Sequence, residues 1–184
     1  MLRAAAGLCV VLSLAVGGCA RHRSDPIALA TDQPYTVSTG DRLRVIVYGQ
    51  DSLSNSYTVD ASGNISMPLI GNVRVDGMTP AAVQKSVESR LRNGYLRDPR
   101  VSTEIEAYRP FFILGEVTTS GQYPYVNGMT VQTAVAIAGG FTPRARQSSA
   151  VLTRAQDGTQ VSGEVPMSQP VRPGDTIQIR ERFF

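Results

Sequence analysis

One turn device occurs twice in the chain, each time just before a short β-type run. Thr39-Gly40-Asp41 precedes Leu43-Arg44-Val45-Ile46-Val47-Tyr48, and Pro173-Gly174-Asp175 precedes Ile177-Gln178-Ile179. Glycine supplies positive φ without steric cost, and the neighbouring aspartate accepts a hydrogen bond from nearby backbone, so the turn is set before the strand begins. Short strands entered this way, with only two helix-period stretches between them, predict two small α+β units rather than one large sheet or a bundle. Each unit is expected to be a mixed sheet carrying one helix, and no disulfide is available to hold either.

The first unit is expected over residues 35–109. After the opening run, whose odd positions are aliphatic, the spacing predicts a hairpin of Tyr57-Thr58-Val59-Asp60 and Ile65-Ser66-Met67 around Ala61-Ser62-Gly63-Asn64. Pro68 suits a strand end because it cannot donate to a ladder. Val73-Arg74-Val75 follows Gly71. Thr79-Pro80 then reads as a helix start, Val83, Val87 and Leu91 fall on one face, and Gly94 is placed to end the helix. Alternation from Val101 to Ala107 predicts a half-buried strand, giving a βββαβ-like order.

The second unit, residues 110–184, begins with Phe111-Phe112-Ile113-Leu114-Gly115, turns at Ser120-Gly121 and predicts a strand near Tyr123-Pro124-Tyr125-Val126. Thr130 caps a helix through Val131, Ala134, Val135 and Ala138 that stops at Gly139-Gly140. This helix looks apolar almost all round and is expected to be sandwiched against its own sheet or a neighbouring subunit. Strands at 151–153, 161–165 and 177–179 complete a β-grasp-like pattern.

Composition narrows the chemistry. Among 184 residues there are one histidine, His22, and two cysteines, Cys9 and Cys19, so neither a His/Cys metal cluster nor a histidine-based triad can be assembled. Neither a P-loop nor a GxGxxG motif occurs, and no cofactor is expected. The net charge of +3 comes from arginines scattered among acids, which disfavours nucleic acid as a partner. Glu104 and Glu106 share one face of a strand as a glycosidase pair would, yet alternating acids are also the ordinary solvated face of a strand. The chain is not expected to be an enzyme.

The N-terminus reads as an address. Residues 1–18 place Arg3 before a 14-residue apolar run, Ala4 to Gly17, too short to span a bilayer of about 30 Å. The run closes on Val16-Gly17-Gly18-Cys19, which resembles the lipobox of bacterial lipoproteins and makes Cys19 the lipidation site. An ordinary signal peptide or a short membrane helix are the alternatives. Residues 19–34 then read as a lipid anchor and tether.

In order and spacing, the motifs resemble the outer-membrane polysaccharide export lipoproteins. Residues 35–108 resemble the polysaccharide export domain through Gly40-Asp41, Val59-Asp60 with Gly63, Met67-Pro68-Leu69-Ile70-Gly71, Gly77-Met78-Thr79 and Asp98-Pro99-Arg100-Val101. Residues 111–182 resemble the soluble ligand-binding β-grasp module through Leu114-Gly115-Glu116-Val117, Ser120-Gly121-Gln122-Tyr123, Ala138-Gly139-Gly140 and Gly174-Asp175. The resemblance implies a homo-oligomeric ring, lipid-anchored to the outer membrane and facing the periplasm, through which capsular or exopolysaccharide passes. It also implies an inner-membrane chain-length regulator, often a tyrosine autokinase, as partner. Longer family members end in an amphipathic membrane-spanning helix, whereas this chain ends at Arg182-Phe183-Phe184. That departure implies a short form working with a separate outer-membrane β-barrel porin.

The alternative is a lipid-anchored periplasmic module that binds a sugar or a peptidoglycan fragment. Tyr123, Tyr125, Arg144 and Arg146 are its candidate ligand contacts. Its bland counterpart is that these tyrosines simply pack at a sheet edge.

Overall fold

The computed structural model describes residues 34–156 and 158–182. The signal segment, Cys19 and the tether up to residue 33 lie outside the described residues. The described chain is an α+β fold with two hydrophobic cores, one drawn from Val37 to Val101 and the other from Phe111 to Ile179.

The first core lies under a three-stranded antiparallel sheet, order β2-β1-β5, made by β1 (Arg42–Val47), β2 (Asn55–Thr58) and β5 (Val101–Ala107). Leu43, Val45 and Val47 alternate inward, as their spacing predicts. A 3-10 turn at Asp51–Leu53 links β1 to β2. Between β2 and β5 come a separate hairpin of β3 (Asn64–Met67) and β4 (Gly71–Arg74) and helix α1 (Pro80–Arg92). Thr79 caps α1 by accepting from the Ala82 N–H at 3.3 Å, Val83, Val87 and Leu91 are fully buried, and Gly94 follows the helix at φ 99°. Each buried aliphatic contributes about 1.5–3 kcal/mol relative to exposure.

Two expectations for this unit are corrected. Four strands precede the helix instead of three, and the segments around Gly63 do not form a hairpin. β2 pairs with β1, while β3 pairs with β4. The turn itself is present: Asp60 Oδ1 accepts the N–H groups of Ser62 and Asn64 at 2.8 and 2.9 Å. It carries the chain from one sheet to another because the Gly63 carbonyl accepts from Val75 and Asp76. A Cβ at Gly63 would stand 2.5 Å from the Asp76 Cβ, so this crossing requires glycine. Pro68 ends β3, and Leu69 at the hairpin tip holds φ 68°.

The second core is covered by a five-stranded mixed sheet, order β7-β6-β10-β8-β9, from β6 (Phe111–Gly115), β7 (Gly121–Tyr123), β8 (Ser149–Gln156), β9 (Thr159–Pro166) and β10 (Thr176–Ile179). Only the β6–β10 pairing is parallel. At its end Gly115 lies opposite Ile179, and a Cβ there would meet the Ile179 carbonyl oxygen at 2.1 Å. The helix α2 (Val131–Ile137) packs one face on the core of its own unit. Val131, Ala134 and Val135 face the core, while Gln132, Thr133, Ala136 and Ile137 are exposed. Alanines on both sides make the segment look apolar all round, but a methyl group leaves little surface to cover. No helix among the described residues is long and apolar enough to cross a membrane.

Candidate functional site

The two Gly-Asp turns are built alike. The Ser38 N–H donates to Asp41 Oδ2 at 2.8 Å, and the Arg172 N–H donates to Asp175 Oδ2 at 2.7 Å. In each, the aspartate N–H returns to the carbonyl three residues earlier, at 3.1 Å. Both carboxylates are fully buried, at 0 and 1% exposure, so each requires further partners.

Those partners differ. Asp175 is clamped by Arg154 of β8, with Nε donating to Oδ1 at 2.8 Å and Nη2 to Oδ2 at 2.6 Å. This is a buried fork-to-carboxylate pair. Asp41 accepts the Tyr35 hydroxyl at 2.5 Å and the Arg109 backbone N–H at 2.8 Å, with the Arg109 guanidinium 3.5 Å away. Arg109 also donates to the Tyr35 hydroxyl at 3.1 Å. Burial, then the bond to Asp41, pushes the Tyr35 hydroxyl far above its ordinary pKa and keeps it protonated.

Arg109 joins the two units. A Cβ on Gly40 would lie 3.5 Å from the Arg109 Cβ, and one on Gly174 would lie 2.7 Å from its Nε. The two glycines of the repeated device therefore flank a single arginine in the segment between β5 and β6. Beside it, Tyr108 makes edge contacts with Tyr35 at 4.9 Å and with Tyr125 at 5.3 Å, joining aromatics of both units. Such pairs stabilise by about 0.5–1.5 kcal/mol beyond their area.

A cleft of about 670 Å³ opens at this junction, walled by the three tyrosines, Arg109, Arg154 and Arg172, with Asn127, Gln156 and Gln169 around them. Its volume lies in the range of small-ligand sites, roughly 300–1,000 Å³. Burial, and then the like charge of Arg154, lowers the pKa of Arg172 from its usual value, while Asp175 acts in the opposite direction. Burial likewise raises Tyr125.

Of the four ligand contacts expected from sequence, Tyr125 lines this cleft. The others lie elsewhere. Tyr123 stacks on Phe111 at 6.0 Å and donates its hydroxyl to the Thr119 carbonyl at 2.8 Å. Arg144 pairs with Glu181, and Arg146 reaches Glu164 at 3.1 Å. Gly40, Gly63, Gly71, Gly115, Gly139, Gly140 and Gly174 all adopt positive φ, whereas Gly121 does not and opens β7. Glu104 and Glu106 are both exposed on β5. Among the described residues no three His, Cys, Asp or Glu side chains converge to hold a metal.

Sequence reasoning missed Tyr35, Tyr108, Arg109, Arg154 and Arg172. One signal was present: Ala150, Leu152 and Arg154 fall on the inward phase of β8, and an arginine in that phase calls for a buried carboxylate.

Residues 29–106 match the family model described as polysaccharide biosynthesis/export protein, and residues 110–167 match the SLBB domain. The chain is 31% identical over 169 residues to the exopolysaccharide production protein ExoF of Rhizobium meliloti strain 1021, covering 85% of this chain and 37% of that protein. It is 26% identical over 188 residues to the EPS I polysaccharide export outer membrane protein EpsA of Ralstonia nicotianae, covering 84% of this chain and 49% of the relative. With the polysialic acid transport protein KpsD of Escherichia coli it shares 26% identity over 111 residues, 59% of this chain and 20% of that one. The chain thus spans half the length or less of these curated relatives.

Proposed function

Because this chain belongs to the polysaccharide export protein family, we propose that it is a cell-envelope component that passes exopolysaccharide or capsular polymer outward without making or breaking a bond. The observation that carries this reading is the succession, in one chain, of an export-family unit and an SLBB unit, with relatives of exopolysaccharide production and export aligned across both. Residues 35–109 serve as the export domain and residues 110–184 as the β-grasp domain. Cys19 carries the lipid that holds the protein to the outer membrane, facing the periplasm. Copies of the chain close into a ring that takes polymer from an inner-membrane chain-length regulator, a tyrosine autokinase in many systems. The ring delivers it to a separate outer-membrane β-barrel porin.

The test is a clean deletion strain with plasmid complementation, scored for secreted and periplasmic polymer. Loss of secreted polymer, restored by the wild-type gene, is the expected result. Unchanged secretion overturns the export role. Separately, Cys19→Ser is expected to move the protein from the membrane fraction to the soluble periplasm, and retention in the membrane fraction rejects the lipid anchor.

A further inference from the structure

We propose that the outer face of the five-stranded sheet is a platform for an uncharged stretch of extended glycan, laid across the strands on Phe112. The inference rests on the export reading only in naming the exported polymer as the natural source of that stretch.

Strand register lays the platform out. Phe111 and Ile113 of β6, Leu152 of β8 and Ile177 of β10 lie in the core with α2, so their neighbours Phe112, Thr153 and Thr176 fall on the opposite face. Phe112 pairs with Gln122 of β7 and with Thr176, Thr176 pairs with Thr153, and Thr153 pairs with Ser162 of β9. The five residues form one row over the whole sheet. At a strand spacing of about 4.8 Å the row runs about 19 Å, the reach of a short extended oligosaccharide. Leu114 and Gln178, paired with each other, open a second row beside it.

The chemistry of the face selects its occupant. Phe112 and Leu114 are 42 and 39% exposed, and both belong to β6. A stable protein interface buries about 800 Å² per partner around an apolar centre, and two half-exposed side chains at one side of a hydroxyl and amide row fall well short of that. A sugar asks for less: an aromatic ring against its apolar C–H face, beside neutral groups that both donate and accept. Gln122, Gln178 and Thr176 are such groups. The Thr153 and Ser162 hydroxyls lie 2.9 Å apart, and with one donating to the other a proton and lone pairs remain for a guest.

Charge points the same way. No residue of the long row is ionisable, and the second row ends at Glu164, which accepts from Ser149 at 2.5 Å and pairs with Arg146 at 3.1 Å. A row without counter-charges gives an ionised chain nothing that a neutral one lacks. The test is a chemical-shift titration of the purified full chain with cellohexaose, an uncharged extended glucan, and with hexagalacturonate, an extended chain that carries carboxylates. Cellohexaose is expected to shift the Gln122 and Gln178 side-chain amides and the Phe112 N–H, and hexagalacturonate to bind no more tightly. Phe112→Thr, which keeps strand propensity and removes the ring, is expected to weaken cellohexaose roughly threefold to tenfold. Gln178→Val is expected to weaken it by about threefold to tenfold. Ile137→Ser, on the exposed side of α2 and so across the core from the platform, is the control and leaves binding unchanged.

Each variant is first matched to wild type by thermal unfolding. If Phe112→Thr fails that match, the wild-type shifts decide the location instead. Absence of cellohexaose binding, tighter binding of hexagalacturonate, or shifts confined to Asn127 and Gln156 at the cleft overturns the platform. A change in sedimentation coefficient on Phe112→Thr shows that a second copy of the chain covers this face, and overturns it as well. Absence of binding together with lost secretion in the deletion strain overturns the platform alone. Binding together with normal secretion upholds the platform and overturns the export reading.

Discussion

The Asp41 and Asp175 turns share their backbone geometry and differ in what each carboxylate reaches beyond its own turn. Asp175 is closed within its own unit, through Arg154 on β8, which is itself 5% exposed. Asp41 reaches across the sequence to Arg109 and back to Tyr35, so its bonds tie the entry to the first unit to the segment leaving it. One local device thus serves two purposes. In the second unit it anchors a strand to a core and lines the cleft with residues 172–175, and in the first it holds Tyr35 and Arg109 at the junction from outside the cleft wall.

The largest expected effect tests the closed turn. Asp175→Asn leaves the buried Arg154 guanidinium without its counter-charge and is expected to cost about 3–5 kcal/mol in urea unfolding. Should the loss fall below about 1 kcal/mol, Arg154 is not dependent on this carboxylate and the contrast between the turns collapses. Asp41→Asn is expected to cost less, about 2–3 kcal/mol, since a hydroxyl and backbone groups rather than a tight buried ion pair are disturbed. Its separate signature is a change in tyrosine near-ultraviolet dichroism, which Asp175→Asn is not expected to share.

A smaller effect separates the glycines. Gly40→Ala and Gly174→Ala each meet left-handed strain of roughly 1–2 kcal/mol, but alanine at 174 must also displace the Arg109 Nε 2.7 Å away. Gly174→Ala is therefore expected to be the worse of the two, and Arg109→Ala is expected to erase the excess in a double-mutant cycle. An unchanged excess would show that Arg109 does not press on that turn.

The smallest effect is in pH. In the folded chain the Tyr35 pKa is raised, first by burial and then by its bond to Asp41, whereas an unfolded tyrosine ionises near pH about 10. Below that pH both states keep the proton. Above it the unfolded state releases a proton that the folded state retains, so stability falls as pH rises. Tyr57 and Tyr125 are shifted upward in the same direction. Tyr35→Phe is therefore expected to lessen this alkaline slope without removing it, at a cost of about 1 kcal/mol at neutral pH. Urea titrations between pH 9 and 11, spanning the ordinary tyrosine value of about 10, measure it.

Much of the fold was legible because its signals are local. Thr79-Pro80 with Val83, Val87 and Leu91 specifies α1 through capping and period alone, and the alternating aliphatics of β1 declare which face is buried. The hairpin around Gly63 was misread because alternation reports a strand's faces and not its neighbour; the pairing depends on Val75 and Asp76 returning to the Gly63 carbonyl. The site was less legible still. Tyr125 stood out as an aromatic near a turn, but Tyr35 lies 73 residues before Tyr108, and nothing in their surroundings announces that they touch.

Turn chemistry, helix caps, the scarcity of histidine and cysteine, and the order of the two units all reside in residue identity and near-neighbour spacing. They are written in the chain because each depends on φ preferences or on side chains within one turn of one another. Strand order, the one-sided burial of α2, the placing of Arg109 between Gly40 and Gly174, and the gathering of three tyrosines around one cleft depend on contacts between distant segments. Those were decided only when two separate cores packed, since loop closure and burial, rather than any local preference, choose which far-apart residues meet.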